Sequence, residues 1–147
     1  MDASALVAII ADEPLSQRVF DAIRSQERPP IISDFCRAEA SSALAKRMRM
    51  RVLPADRIDV YYAHLDQWAL AAGDRTTILS EDIERSASDV RRHDLALRAP
   101  DAIHIAAAHR LGATLLTLDN GMARAAAALG VPYLNPAEAE ALGEPKD

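Results

Sequence analysis

Apolar positions recur at helical spacing along most of this chain, and short apolar runs separate the helical stretches. The opening, MDASALVAIIADEP, carries an apolar, helix-compatible run from just after Asp2 to the residue before Pro14. From Leu15 to Gln26 the apolar residues fall at Leu15, Val19, Ala22 and Ile23, the spacing of a helix with one buried face. Pro29 and Pro30 close that segment, and Ile31–Ser33 reads as a short strand. Asp34 can then cap a longer helix from Phe35 to about Arg51, with Cys36, Ala40, Ala43 and Leu44 on its inner stripe. Glu39 sits within that helix. A further helix over Ala55–Ala72 spaces Ile58, Tyr61, Tyr62, Leu65, Trp68 and Ala69 along one face, and this aromatic stripe is assigned to packing rather than to base stacking. Thr76–Leu79 suits a short strand, Ser80 a cap, and Glu81–His93 a polar helix exposing Arg85, Arg91 and Arg92.

The stretch from Leu97 to Val131 is the most regular. Pro100 suits a first helical turn because its missing N–H would be unpaired there, so a helix over Pro100–Leu111 carries Asp101 at its positive end. Ala113–Leu118 is an apolar run, and within it Thr114–Leu118 reads as a strand covered on both faces and ending at Asp119. A second helix follows from Met122 to Leu129 and stops at Gly130. Val131–Leu134 is a last strand, and Asn135, Pro136 and Glu138 form a capped start for a helix over Ala137–Leu142, with 143–147 as a frayed tail. The alternation of helices and strands gives an α/β sandwich with a parallel sheet, a single domain over 1–142.

Composition narrows the class. A chain of 147 residues, half of them hydrophobic, fits one domain, and an aromatic share of 4% leaves the core to Ala, Leu, Ile and Val. Cys36 is the only cysteine, which excludes an intrachain disulfide and fits a reducing cytosol. Asp2 stands where a signal peptide would be basic, and no run approaches the roughly 18 apolar residues of a membrane span, so a cytoplasmic protein is expected. The net charge of −5 argues against broad electrostatic attraction to nucleic acid, although acids neutralised by a metal would alter the local balance.

The familiar phosphate and nucleophile motifs are missing: there is no G-x-S-x-G, no P-loop and no G-x-G-x-x-G. His64, His93, His104 and His109 do not have a zinc spacing, and Cys36 reads as a small buried hydrophobe. Four acids remain at strand and helix junctions: Asp2, Glu39, Asp101 and Asp119. Taken singly, each aspartate is also an ordinary cap or turn residue, as the Asp119-Asn120-Gly121 run illustrates. Taken as a set, all-carboxylate ligands select hard cations, Mg²⁺ or Mn²⁺, which acidify water and stabilise charge on phosphorus. The most basic stretch, Lys46, Arg47, Arg49 and Arg51, is either a solvated helix end or a rim that neutralises substrate phosphates. Phosphodiester hydrolysis follows as the expectation. An aspartyl-phosphate phosphatase would need D-x-D, which Asp2-Ala3-Ser4 does not supply.

The segments DASALVAIIADEP, ISDFCRAEASSALAKRMR and LRAPDAIHIAAAHRLGATLLTLDNGMARAAAALGVP together resemble the PIN-domain ribonucleases of the VapC type, toxins of bacterial toxin–antitoxin pairs. The resemblance runs in order from Asp2 to about Pro136. It places the family's acids on Asp2, on Glu39 in AExxSAL, on Asp101 in LRAPDAxHxA and on Asp119 in TxD, with Ser4 supporting the metal site. It implies a three-layer α/β/α sandwich with a central parallel sheet and a Mg²⁺-dependent endoribonuclease. It also implies a homodimer silenced by a VapB-type antitoxin whose C-terminal segment lies over the active site. A catalytically silent scaffold or antitoxin-binding partner is the alternative. One departure stands out: the strand expected before Asp2 is reduced to Met1, so a version extended upstream by about five apolar residues is expected to be more stable and more active.

Overall fold

Asp2 starts the first helix: its Oδ1 accepts a hydrogen bond from the Ala5 N–H at 3.0 Å, which fixes the entry to α1 (Ala3–Ile10). The computed structural model describes residues 1–71 and 75–138, and it falls into two compact units divided after Thr77.

In the first unit, α1 is followed by α2 (Ser16–Arg24), β1 (Ile32–Ser33), α3 (Asp34–Arg49), a 3₁₀ turn (Ala55–Arg57), α4 (Ile58–Ala71) and β2 (Arg75–Thr76). β1 pairs in parallel with β2, Ile32 opposite Arg75 and Ser33 opposite Thr76. The core is aliphatic, built on Leu6, Val7, Ile10, Leu44 and Leu65, with Tyr61, Tyr62 and Trp68 packed against it. The aromatic stripe of α4 is thus packing, as its spacing suggests, and Trp68 meets Phe20 with ring centroids 5.7 Å apart. Met48, interleaved among the basic residues, points inward and is buried. The cap of α3 is Ser33 rather than Asp34: Ser33 Oγ accepts from the Cys36 N–H at 3.0 Å, and Asp34 is already the first helical residue. The helix stops at Arg49, two residues short of the expected end, because Arg51 turns left-handed at φ +58° while its N–H bonds Met48 O and the Val52 N–H bonds Arg47 O. Among the described residues the first strand is β1. Met1 lies beside its start, its amine donating to Ile31 O at 3.0 Å.

The second unit contains α5 (Ser80–Asp89), α6 (Ala99–Arg110), β3 (Leu115–Leu116), α7 (Asn120–Ala128) and β4 (Tyr133–Leu134). β3 and β4 are parallel, Leu115 opposite Tyr133 and Leu116 opposite Leu134. The core is built from small side chains: Ala102, Ala106, Ala107, Ala108, Ala123, Ala125 and Ala126 are buried around Ile105, Leu115, Met122 and Val131. Gly112 and Gly130, at φ +58° and +72°, end α6 and α7 in the left-handed turn. β1, β3 and β4 are shorter than the apolar runs that contain them, and β2 shares only Thr76 with the expected strand Thr76–Leu79, because only the residues facing a partner backbone join a ladder.

α5 departs most from its pattern. It buries Asp82, Ser86 and Asp89 and leaves Ile83 about half exposed, and it ends at Asp89, not His93. The reason is Arg110 at the end of α6, whose guanidinium clasps Asp82 with Nε–Oδ1 2.8 Å and Nη2–Oδ2 2.9 Å. Asp82 also begins the helix, accepting from the Leu79 N–H at 2.9 Å, the task expected of Ser80. Arg91 and Arg92 are exposed as expected, whereas Arg85 is partly covered, with Nη1 3.2 Å from a ring nitrogen of His109. Asn135 caps the following turn by accepting from the Ala137 N–H at 3.0 Å, while the rest of the helix expected to Leu142 and the 143–147 tail lie outside the described residues. The chain is mostly helical α/β with parallel strand pairs. Among the described residues no helix is long and apolar enough to cross a membrane.

Candidate functional site

The four acids lie two in each unit. In the first, Asp2 is almost fully buried, and Ser4 Oγ sits between its oxygens at 2.9 and 2.8 Å. With the Ala5 N–H on Oδ1, the carboxylate stands at the positive end of α1 and cannot rotate without breaking these bonds. Glu39 is half-buried on α3, one turn beyond Cys36. The Cys36 thiol registers both acids: burial first, then the charges of Asp2 and Glu39, push it up to about 12, with the Met1 amine pulling the other way. Burial lowers that amine below its ordinary value, and the Cys36 and Asp2 charges oppose the shift.

In the second unit, Asp101 and Asp119 meet on one guanidinium. Arg98 precedes α6; its Nε lies 3.0 Å from Asp101 Oδ2, its Nη2 3.2 Å from Asp101 Oδ1, and the same Nη2 3.9 Å from Asp119 Oδ2. Asp101 accepts in addition from the Arg98 backbone N–H at 3.3 Å, closing the first turn of α6. Asp119 caps α7, its Oδ1 accepting from the Met122 N–H at 2.9 Å. Two neighbours fix Asp119. Thr117 Oγ1 accepts from its N–H at 3.0 Å, and Gly121 leaves space that a side chain would fill, since a Cβ there would stand 3.0 Å from Asp119 Oδ1.

The aspartates are therefore helix caps, and capping does not exhaust them. Asp119 commits Oδ1 to the helix and directs Oδ2 toward a cation. The donors are hard oxygens, the class that Mg²⁺ and Mn²⁺ select, and Arg98 lies within ion-pair distance of both Asp101 and Asp119. Among the described residues, no three His, Cys, Asp or Glu side chains are grouped closely enough to hold a metal.

A family model for the PIN domain matches residues 1–128, a span that contains all four acids. The chain belongs to the PIN domain family. PIN domains are generally metal-dependent nucleases, and membership points to nuclease activity in general. No curated protein matches this PIN domain in sequence. Among solved structures, the crystal structure of PAE2754 from Pyrobaculum aerophilum is similar over 96% of this chain and 91% of its own, at 19% identity and a TM-score of 0.61, which supports the fold.

The basic residues of this PIN domain lie at the end of α3 and just beyond it. Lys46, Arg49 and Arg51 are exposed, whereas Arg47 is half-buried and paired with Glu13 at 2.7 Å. His104 is buried and His109 exposed, as their five-residue spacing on one helix requires. Arg98, Thr117 and Gly121 were not among the expected site residues. The first could have been found from its three-residue spacing to Asp101, a side-chain neighbour on a helix start, and the other two from their places flanking Asp119.

Proposed function

We propose that this PIN domain is a Mg²⁺-dependent endoribonuclease, with Mn²⁺ able to replace Mg²⁺, and the toxin of a VapC-type toxin–antitoxin pair. Asp2, Glu39, Asp101 and Asp119 supply the metal ligands, and Ser4 orients Asp2. The observation that carries the reading is the sharing of one guanidinium by Asp101 and Asp119 within a chain of this family. Bound to such acids, the ion supplies a Lewis acid for a phosphate oxygen and for water.

The chain's own residues supply position. The Met122 N–H holds the Asp119 side chain and Thr117 its backbone, while Ser4 and the Ala5 N–H hold Asp2, so these carboxylates need no reordering when charge arrives. Lys46, Arg49 and Arg51 contact RNA phosphates outside the ligand set, and Arg47 joins them by exchanging Glu13 for phosphate. The reading includes a central parallel sheet between helical layers, a homodimer, a VapB-type antitoxin over the active site and a cytoplasmic location.

Purified protein should cut a labelled single-stranded RNA in Mg²⁺ and stop when EDTA is added. Asp101→Asn and Asp119→Asn should each lower the rate by at least about a hundredfold, more than is typical for outer partners of a metal site, with circular dichroism unchanged. Cleavage retained in both variants rejects the site. A folded wild type that neither binds Mg²⁺ nor cuts RNA is instead the silent scaffold.

A further inference from the structure

Arg98 is tied to both acids of the second unit, yet three-quarters of its side chain is exposed, against 13% for Asp101 and 39% for Asp119. Little packing holds it where it lies. Its contacts include both Asp101 oxygens and Asp119 Oδ2, the oxygen that the α7 cap does not use. A guanidinium keeps its proton at any ordinary pH, so this cation can leave the carboxylates only by moving.

We propose that Arg98 is a positioning residue that occupies the metal's place on Asp101 and Asp119, is displaced when the ion binds, and then turns its planar fork to an RNA phosphate. This rests on the nuclease reading above. Before metal arrives, Arg98 keeps two like charges from repelling each other at adjoining helix starts. Afterwards it is a released, exposed guanidinium beside the substrate, matched in shape to phosphate. The α6 turn does not depend on the exchange, because its bond to Asp101 comes from the Arg98 backbone, not its side chain.

The test is calorimetric titration of Mn²⁺ into wild type, Arg98→Ala and Arg98→Gln, followed by steady-state cleavage of a labelled single-stranded RNA at saturating Mn²⁺. Both variants lack the internal cation and should bind Mn²⁺ about two- to fivefold more tightly, the range for a largely exposed ion pair. Their KM for RNA should rise by about five- to tenfold from the lost phosphate contact, with kcat changed less. Opposite changes in metal affinity and RNA KM are not what a merely structural arginine produces. If wild type binds Mn²⁺ and cuts RNA while both variants fold and bind the ion no more tightly, the inference falls and the nuclease reading stands. Unchanged RNA KM overturns the phosphate role. If wild type neither binds Mn²⁺ nor cuts RNA, both fall together.

Discussion

Two helices in each unit end in the same way with different residues. In α1, α3, α6 and α7 the chain turns left-handed one residue past the cap, and its N–H groups reach back to carbonyls of the last turn. The second unit places Gly112 and Gly130 in that turn; the first places Asp12 at φ +50° and Arg51 at φ +58°. A side chain there costs about 1–2 kcal/mol that glycine does not incur. Asp12 recovers part of this by accepting from Ser16 Oγ at 3.2 Å, whereas Arg51 is an exposed member of the basic stretch. The interiors show the reverse. The first unit packs large aliphatic side chains, and the second, with its alanine core, buries Asp82 against a partly covered Arg110. Strain at helix ends thus belongs to the first unit, while the second carries a buried charge and, away from its helix ends, Ala96 at φ +50°.

The largest expected effect tests the buried charge. Arg110→Met leaves Asp82, 1% exposed, without its cation, and should lower stability to urea by about 3 kcal/mol. Burial alone would raise the Asp82 pKa, but the Arg110 hydrogen bonds and the Leu79 N–H outweigh it and hold the carboxyl below its ordinary 3.8. Its contribution is therefore present above that value and lost as pH falls through the folded pKa, so the variant should show a flatter acid limb. A loss under 1 kcal/mol would place the strain of the second unit elsewhere.

A smaller effect concerns the first unit at high pH. The Cys36 thiol, pushed from 9.0 to about 12, stays protonated in the folded chain while the unfolded chain ionises. Stability should then fall by about 1.4 kcal/mol per pH unit above 9, and Cys36→Ala should remove that part of the slope in a paired comparison. Parallel curves would mean the thiol is not in the anionic, apolar setting described.

The smallest effect addresses the helix ends directly. Arg51→Gly should raise thermal stability by about 0.5–1 kcal/mol, and Gly130→Ala, whose Cβ would meet nothing within 4 Å, should lower it by about 1 kcal/mol from backbone strain alone. Arg51→Gly should also weaken RNA binding if the basic stretch meets phosphate. Equal and opposite stability changes at the two positions would confirm that the units differ in strain and not in cap geometry.

Much of this could be read before the fold was known. Periodicity found α2, α3, α4, α6 and α7 because each needs only one apolar stripe, visible within its own residues. It misjudged strand lengths because a ladder needs a partner that lies elsewhere in the chain. Choosing Asp34 over Ser33 shows a different limit: both are good caps, and a one-residue shift in where the backbone turns helical decides between them. Nothing local announces Asp82 with Arg110, which lie 28 positions apart, so an inverted helix looked like an ordinary polar one. The acids were legible as junction residues. That Asp101 and Asp119 share an arginine is set by tertiary packing of two helix starts, which local sequence does not announce.

The alanine interior of the second unit sets what variation it can accept. A side chain of one methyl has almost nothing left to remove, so most exchanges at Ala102, Ala106, Ala123 or Ala126 must add volume to a space already filled. Random mutagenesis selected for heat resistance should therefore return gains from the periphery of that unit and from the interior of the other, where Leu44 and Leu65 leave rearrangements to explore.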